Sequence, residues 1–317
     1  MNVLVTGAAG FIGSHLSAAL LARGARVTGL DCFTDYYPRA IKEANLDVNR
    51  GHADFRFVES AIADADLGSL LDGVTQVFHL AAQAGVRKSW GRDFQIYTVN
   101  NVDATQILLE ACVGRPIEKL VYASSSSVYG DAVAIPMTEQ ALPQPVSPYG
   151  VTKLAAEQLC RLYTVNHGVP TASMRYFTVY GPRQRPDMGF HRFIRAAITG
   201  QPITLYGDGE QTRDFTFVAD AVAATVAAGS QGRPGAVYNI GGGSRVSVNE
   251  VLELVAEATG RTLDIRREPA QKGDMRDTFA DTTLAQADLG FAPTTTLADG
   301  IKAEARWLQA ALPLLTS

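Results

Sequence analysis

Residues 2–13 read Asn-Val-Leu-Val-Thr-Gly-Ala-Ala-Gly-Phe-Ile-Gly. Asn2 to Thr6 is a short apolar, β-rich run. Gly7, Gly10 and Gly13 punctuate the segment after it, and Ile12, Leu16, Ala19 and Leu20 then recur with helical period as far as Arg23-Gly24, a cationic end with a glycine cap. The pattern predicts strand, glycine turn, helix. In such a unit the first glycine permits the tight turn and the second lets backbone approach a pyrophosphate. The third lets helix pack on strand, while free N–H groups at the helix start attract the anion. Glycine turns also serve purely structural ends, so context decides. The next strand, residues 26–30, ends in Asp31, a carboxylate placed to accept hydrogen bonds from an adenosine ribose. Together these features predict a dinucleotide site, and because an acid here repels a 2′-phosphate, NAD is favoured over NADP.

Outward from this unit the alternation continues. Residues 54–59, 74–80, 119–123 and 171–176 read as strands, and 101–112 and 148–166 as helices. Such alternation implies βαβ units and a parallel sheet covered on both faces, with ligands at the carboxyl ends of the strands. The conspicuous polar clusters fall at those ends: the glycine turn, Asp31, Ala81-Ala82-Gln83 and Ser124 to Ser127. Beyond Gly181 the pattern changes to a loop dense in Gly, Pro and Arg, followed by a helix at 190–199, a strand at 203–206 and a turn at 207–209. Residues 218–228 and 237–240 return to the first sheet. The tail carries an amphipathic helix through Val251, Leu252, Val255 and Ala258, a strand at 263–266 and a last helix at 297–308. The fold class is therefore α/β: a Rossmann-type doubly wound parallel sheet over 1–177 with a returning segment 215–241. A smaller, discontinuous α/β substrate domain lies within 178–317, mainly 178–214 and 242–317.

The 317 residues are 46% hydrophobic and 19% charged, with a net charge of −4. That balance describes a globular protein and gives no reason to expect nucleic acid or an anionic membrane as partner. No apolar run is long enough to span a bilayer, and the start lacks the basic and apolar regions of a signal peptide, so a cytoplasmic location is expected. Cys32, Cys112 and Cys160 are widely spaced and have no CxxC or nearby His pair, so they read as free thiols, the latter two buried, and no metal site is expected. His79, ending an apolar strand, reads as a satisfied structural histidine. Asn166 and His167 read as a helix end.

The chemistry concentrates between Ser124 and Lys153. In a helix beginning after Pro148, Tyr149 and Lys153 stand at i and i+4 on one face, so an ammonium can lie beside a phenol. As a lone motif this is an ordinary helix pair. Ser125 on the same rim, with the glycine cradle beside it, makes redox catalysis the better reading.

The segments Thr-Gly-Ala-Ala-Gly-Phe-Ile-Gly, the serine run before Val-Tyr-Gly, Tyr-Gly-Val-Thr-Lys and Arg-Tyr-Phe followed by Gly-Pro resemble the extended short-chain dehydrogenase/reductase family of nucleotide-sugar epimerases and dehydratases. Residues 31–46 and 177–188 further resemble bacterial UDP-glucuronate 4-epimerases. The resemblance implies interconversion of UDP-glucuronate and UDP-galacturonate by C4 oxidation with tightly held NAD, turning of the 4-keto sugar, and re-reduction on the other face. It assigns Tyr149 as base, Ser125 as hydrogen-bond partner of the same sugar oxygen, and Lys153 to the nicotinamide ribose. The phenol, with an ordinary pKa of about 10, needs cationic neighbours to act near neutrality. Cofactor contacts carried over are Gly7, Gly10, Phe11, Ile12, Gly13, Asp31, Ile62, Ala81, Ala82, Gln83, Asn100, Ser124, Tyr149, Lys153 and Tyr176. The family often has Asp-Ile after strand three where this chain has Ala61-Ile62, so the adenine contact is missing or passes to Ser60 or backbone.

A 4-keto uronate is a β-keto acid and loses carbon dioxide if the breaking bond aligns with the carbonyl π system. Related decarboxylases carry a Glu before Val-Tyr-Gly; this chain has Ser126 and Ser127, whose hydroxyls suit a carboxylate. Plain turn chemistry is the alternative for both. Thr178 adds a hydroxyl where glucose/galactose epimerases usually carry Asn. Arg185 reads either as the cation that steadies the carboxylate or the turning intermediate, or as a solvated loop charge. Arg213, Arg276 and Arg192 resemble the family's ligands for the UDP diphosphate, which a guanidinium fork suits. The family also implies a homodimer through helices around Leu108 and Leu159. The competing functions are a UDP-glucose or UDP-N-acetylglucosamine 4-epimerase, a UDP-glucuronate decarboxylase, and a non-catalytic NAD-binding protein.

Overall fold

The computed structural model describes residues 1–131, 134–269 and 275–315. The chain runs β1 (Asn2–Thr6), α1 (Phe11–Leu21), β2 (Arg26–Asp31), α2 (Arg39–Arg50), β3 (Phe55–Glu59), a short α3 (Leu67–Leu70) and β4 (Gln76–His79). It continues through α4 (Phe94–Tyr97), α5 (Ala104–Cys112), β5 (Lys119–Ser125), α6 (Pro148–His167) and β6 (Thr171–Tyr176). After β7 (Val179–Tyr180), α7 (Gly189–Thr199), β8 (Ile203–Tyr206), β9 (Thr212–Asp214) and β10 (Thr216–Phe217), α8 (Val218–Gln231) leads to β11 (Ala236–Ile240). The tail holds β12 (Arg245–Ser247), α9 (Val248–Thr259), β13 (Ile265–Glu268), α10 (Thr283–Leu289) and α11 (Leu297–Leu315).

The central sheet has seven strands in the order β11-β6-β5-β4-β1-β2-β3, and every pairing is parallel. The period-two alternation of a strand sends Val3 and Val5 of β1 into one core with α1 and α8, and Leu4 into another with α5 and α6. Both faces are thus covered, as a parallel sheet requires. Residues 237–240 read as the last strand, and β11 does rejoin the sheet beside β6. A third core, with Phe190, Ile194, Val251, Val255 and Ile301, forms between α7, α9 and α11. Among the described residues no helix is long and apolar enough to cross a membrane.

Some elements differ from the sequence-based expectation. The helix expected over 101–112 begins at Phe94 and passes through a π-helical stretch, Thr98–Asp103, before α5. The wide turn carries Asn101 inward, where its Oδ1 accepts from Gln83 N (2.7 Å) and its Nδ2 donates to Thr152 Oγ1 on α6 (3.0 Å). The strand expected at 263–266 lies at β13 because its partners are set by pairing with β8. The last helix continues past 308, carrying its apolar face further along α9.

Beneath the carboxyl end of β5 lies a buried ion pair. Arg175 on β6 donates through Nη2 to Glu157 Oε1 (2.6 Å) and through Nε to Oε2 (3.0 Å), and Ser124 Oγ donates to the same Oε2 (2.7 Å). The two charged side chains are 4% and 1% exposed. Removing one partner strands a buried charge, so Glu157→Ala is expected to lower stability by about 3–5 kcal/mol, read as the shift in urea midpoint. A loss under about 1 kcal/mol, the range of surface pairs, would contradict this.

Candidate active site

The carboxyl ends of the strands open onto a cavity of about 990 Å³ where the strand order reverses between β1 and β4. Gly7, Gly10, Phe11, Ile12 and Gly13 line one end. A Cβ at Gly13 would stand 2.1 Å from the Gly7 carbonyl oxygen, so only glycine lets α1 come this close to β1. The resulting concave turn at the start of α1 fits a pyrophosphate. Asp31, at the end of β2, accepts from Ala9 N (3.1 Å) and Phe33 N (2.9 Å). Burial pushes its carboxyl up, and those N–H groups with Lys42 oppose the rise. Ile62 lines the adjoining wall with Ser60 and Ala61, and the Ser60 hydroxyl already donates to the Ala61 carbonyl (3.0 Å). These residues fit a dinucleotide.

Ala81, Ala82 and Gln83 follow β4 along the middle of the cavity, opposite Asn100 and Tyr176. His79 beneath them is held between Thr6 Oγ1 (2.8 Å) and Thr105 Oγ1 (2.9 Å), and burial lowers its pKa to about 3, so it is the structural histidine expected.

Helix α6 starts where Ser147 Oγ accepts from Gly150 N (3.1 Å) and Pro148 fills the first turn. Tyr149 and Lys153 then face the cavity one turn apart. Burial raises the Tyr149 phenol, while the charge of Arg185 and a hydrogen bond with Ser125 draw it down. Tyr97 packs edge-on against its ring, with centroids 6.2 Å apart. Lys153 Nζ donates to the Ala123 carbonyl (2.7 Å), and burial lowers its pKa to about 8. Arg185 is thus one cation that draws the phenol down, while the Lys153 ammonium, also in the cavity wall, is bonded to the end of β5 at Ala123.

Ser124, Ser125, Ser126, Ser127, Thr178, Arg185, Arg192 and Arg213 all line this cavity. Ser125 Oγ accepts from Ser127 N (3.1 Å), the local turn bond, and its hydroxyl hydrogen-bonds the Tyr149 phenol, so the two hydroxyls stand together at the cavity wall. Arg213 braces the far end by donating to the carbonyls of Thr212 (2.9 Å) and Arg276 (2.8 Å). Arg276 stands apart from the cavity wall: its side chain is 72% exposed and lies 3.8 Å from Asp208. Residues 273 and 274 of its segment lie outside the described residues.

The structure adds wall residues that sequence reasoning passed over, including Tyr36, Arg87, Lys88, Asp187 and Tyr206. Arg87 Cζ lies 4.6 Å from the Tyr206 ring centroid and so bridges the cavity. Gly85, followed by Val-Arg-Lys just after a strand end, was the available signal: a glycine turn presenting cations at the rim. Cys32, Cys112 and Cys160 are free thiols, the last two buried.

Comparison with known proteins agrees with this geometry. The chain is 44% identical over 312 residues to the Bacillus subtilis protein described as an uncharacterized UDP-glucose epimerase, YtcB, covering 97% of this chain and 98% of that one. It is 39% identical over 330 residues to UDP-glucuronate 4-epimerase 3 of Arabidopsis thaliana, covering 96% and 76% respectively. The crystal structure of UDP-glucuronic acid 4-epimerase from Bacillus cereus, in complex with UDP-glucuronic acid and NAD, superposes with a TM-score of 0.95 at 43% identity, covering 98% of this chain and 99% of that one. With residues 3–241 matching it, the chain belongs to the NAD dependent epimerase/dehydratase family.

Proposed function

We propose that this protein interconverts UDP-glucuronate and UDP-galacturonate. The observation that carries the reading is the grouping of Ser126, Ser127, Thr178 and Arg185 around the same cavity as Ser125 and Tyr149: hydroxyls and a guanidinium for a carboxylate, beside a phenol for the 4-OH. Likeness to the Bacillus cereus enzyme supports it. Bound NAD, held by the Gly7–Gly13 turn and Asp31, supplies reversible oxidation at C4. Tyr149 takes the 4-OH proton onto its phenolate oxygen and later returns it, and Ser125 hydrogen-bonds the same sugar oxygen. Lys153, in the same cavity wall, would hold the nicotinamide ribose. Ser126, Ser127 and Thr178 hold the carboxylate out of alignment with the C4 carbonyl, while Arg185 balances its charge. Arg213 and Arg192 hold the diphosphate; Arg276 joins them only by moving inward from its exposed position.

In this reading residues 1–177 with 215–241 serve the cofactor, and 178–214 with 242–317 serve the UDP-sugar. The free thiols suit a cytoplasmic setting. We also propose a homodimer. Leu108 itself is buried in the core, but the outward faces beside it and Leu159 expose Ile96 (48%), Val99 (45%), Val151 (48%), Leu162 (52%) and Val165 (75%), an apolar strip that a second copy covers. A monomer in light scattering at micromolar concentration refutes the dimer.

The function is tested by supplying UDP-glucuronate, UDP-glucose and UDP-N-acetylglucosamine separately and following products by NMR. Turnover of the neutral sugars alone would favour the second reading, a UDP-glucose 4-epimerase, which the likeness to YtcB brings forward. Tyr149→Phe is expected to lower turnover by at least about 10²-fold, the scale of general acid–base catalysis, with NAD still bound; near-wild-type rates remove Tyr149 from the base role. Arg185 draws the phenol down, so its loss lets the phenol rise. Arg185→Ala should therefore move the acidic limb of the kcat/KM profile to higher pH, and an unmoved limb contradicts the assignment.

A further inference from the structure

The Arg185 guanidinium does not stand alone in the cavity wall. Its Nε donates to Asp187 Oδ1 and its Nη2 to Asp187 Oδ2, both at 3.0 Å, a fork on fork between neighbours in one loop. Asp187 Oδ2 also accepts from the Tyr36 hydroxyl (3.2 Å), which arrives from the loop after β2. Tyr36 is in turn confined. A Cβ at Gly85 would lie 2.0 Å from the Tyr36 hydroxyl oxygen, so the absence of a side chain there admits the phenol, and Lys88 Nζ lies 5.1 Å from its ring centroid. Arg185 is half-buried and Asp187 lies at the surface beside it, with side chains 21% and 32% exposed. A guanidinium has five N–H donors fixed in a plane. With the Nε edge taken by Asp187, the direction of the remaining donors is set, and so is the net charge that the pair presents to a ligand.

We propose that Asp187, steadied by Tyr36, is a positioning residue that sets the outcome of the reaction by fixing the free edge of the Arg185 guanidinium against the substrate carboxylate. The inference rests on the uronate reading of this site. In the 4-keto uronate, decarboxylation breaks the C5–C6 bond. Its electron pair passes to the C4 carbonyl as an enolate, and carbon dioxide departs. A proton then adds at C5, and the hydride removed earlier from C4 returns there, giving a UDP-pentose with no external oxidant or reductant. The C5–C6 bond breaks only when it aligns with the carbonyl π system. A guanidinium held at one angle keeps the carboxylate out of that alignment. Half neutralised by Asp187, it also grips the carboxylate weakly enough for the ring to turn over. Freed from Asp187, the same guanidinium binds the carboxylate more strongly but in no single orientation.

The test compares wild type, Asp187→Asn, Asp187→Glu and Tyr36→Phe, each assayed for bound NAD and Tm. NMR gives the ratio of UDP-pentose to UDP-galacturonate, and calorimetry gives binding of UDP-glucuronate and UDP-glucose. Asp187→Asn is expected to raise the pentose share about tenfold, the scale of one charge-assisted hydrogen bond. It should also tighten UDP-glucuronate relative to UDP-glucose. Tyr36→Phe should move the product ratio the same way by less, and Asp187→Glu should restore much of the wild-type ratio. A purely structural role lowers turnover or Tm and leaves the ratio alone. An unchanged ratio in both Asp187→Asn and Tyr36→Phe, with wild type turning over UDP-glucuronate, overturns the inference alone. A wild type that turns over only neutral UDP-sugars overturns the uronate reading and this inference together.

Discussion

The rim on which the chemistry sits is held from below by the pairing of Arg175 with Glu157. Two opposite charges in a poorly solvated interior attract strongly but lose their hydration, so the arrangement is tolerable only if their remaining polar atoms also find partners. They do. Ser124 completes Glu157, and Arg175 Nη1 donates to the Tyr129 hydroxyl (2.7 Å), which donates onward to Asn239 Oδ1 (2.7 Å). One connected network therefore joins β5, α6, β6 and β11 immediately beneath Ser125. Such networks permit few alternative packings when fully satisfied, and a site that has to hold a phenol, a hydroxyl and a sugar in register requires that fixity.

Above this foundation the electrostatics run against the proposed catalytic pair. Burial raises the Tyr149 phenol and lowers the Lys153 ammonium, so desolvation disfavours the charged form of each. Arg185 offsets part of this from across the cavity. Its own charge is shared with Asp187, so the loop between β7 and α7 contributes to the field at the phenol as well as forming a wall.

Much of this was legible in the sequence because the signals were local. The glycine turn, Asp31 at a strand end and the alternation of strands and helices each follow from neighbours along the chain, and β1, β2, β5 and β6 stand where the pattern puts them. The π-helical stretch over Thr98–Asp103 has no such pattern, since it arises from Asn101 reaching Gln83 and Thr152. Asp187 was passed over because its partner Tyr36 is distant in sequence. Arg276 shows the converse. Its motif suggested a phosphate ligand, yet its backbone carbonyl is what supports Arg213 while its side chain faces outward.

The unbroken cavity from Gly7 to Arg213 bears on metabolism as well as on geometry. The residues that would hold the oxidant and the sugar line one cavity with the acid–base groups, so in the proposed reaction the hydrogen taken from C4 goes back to C4 within the same walls. Such an enzyme makes no demand on the cell's pool of reduced nicotinamide. Its flux follows the supply and removal of the two nucleotide sugars alone.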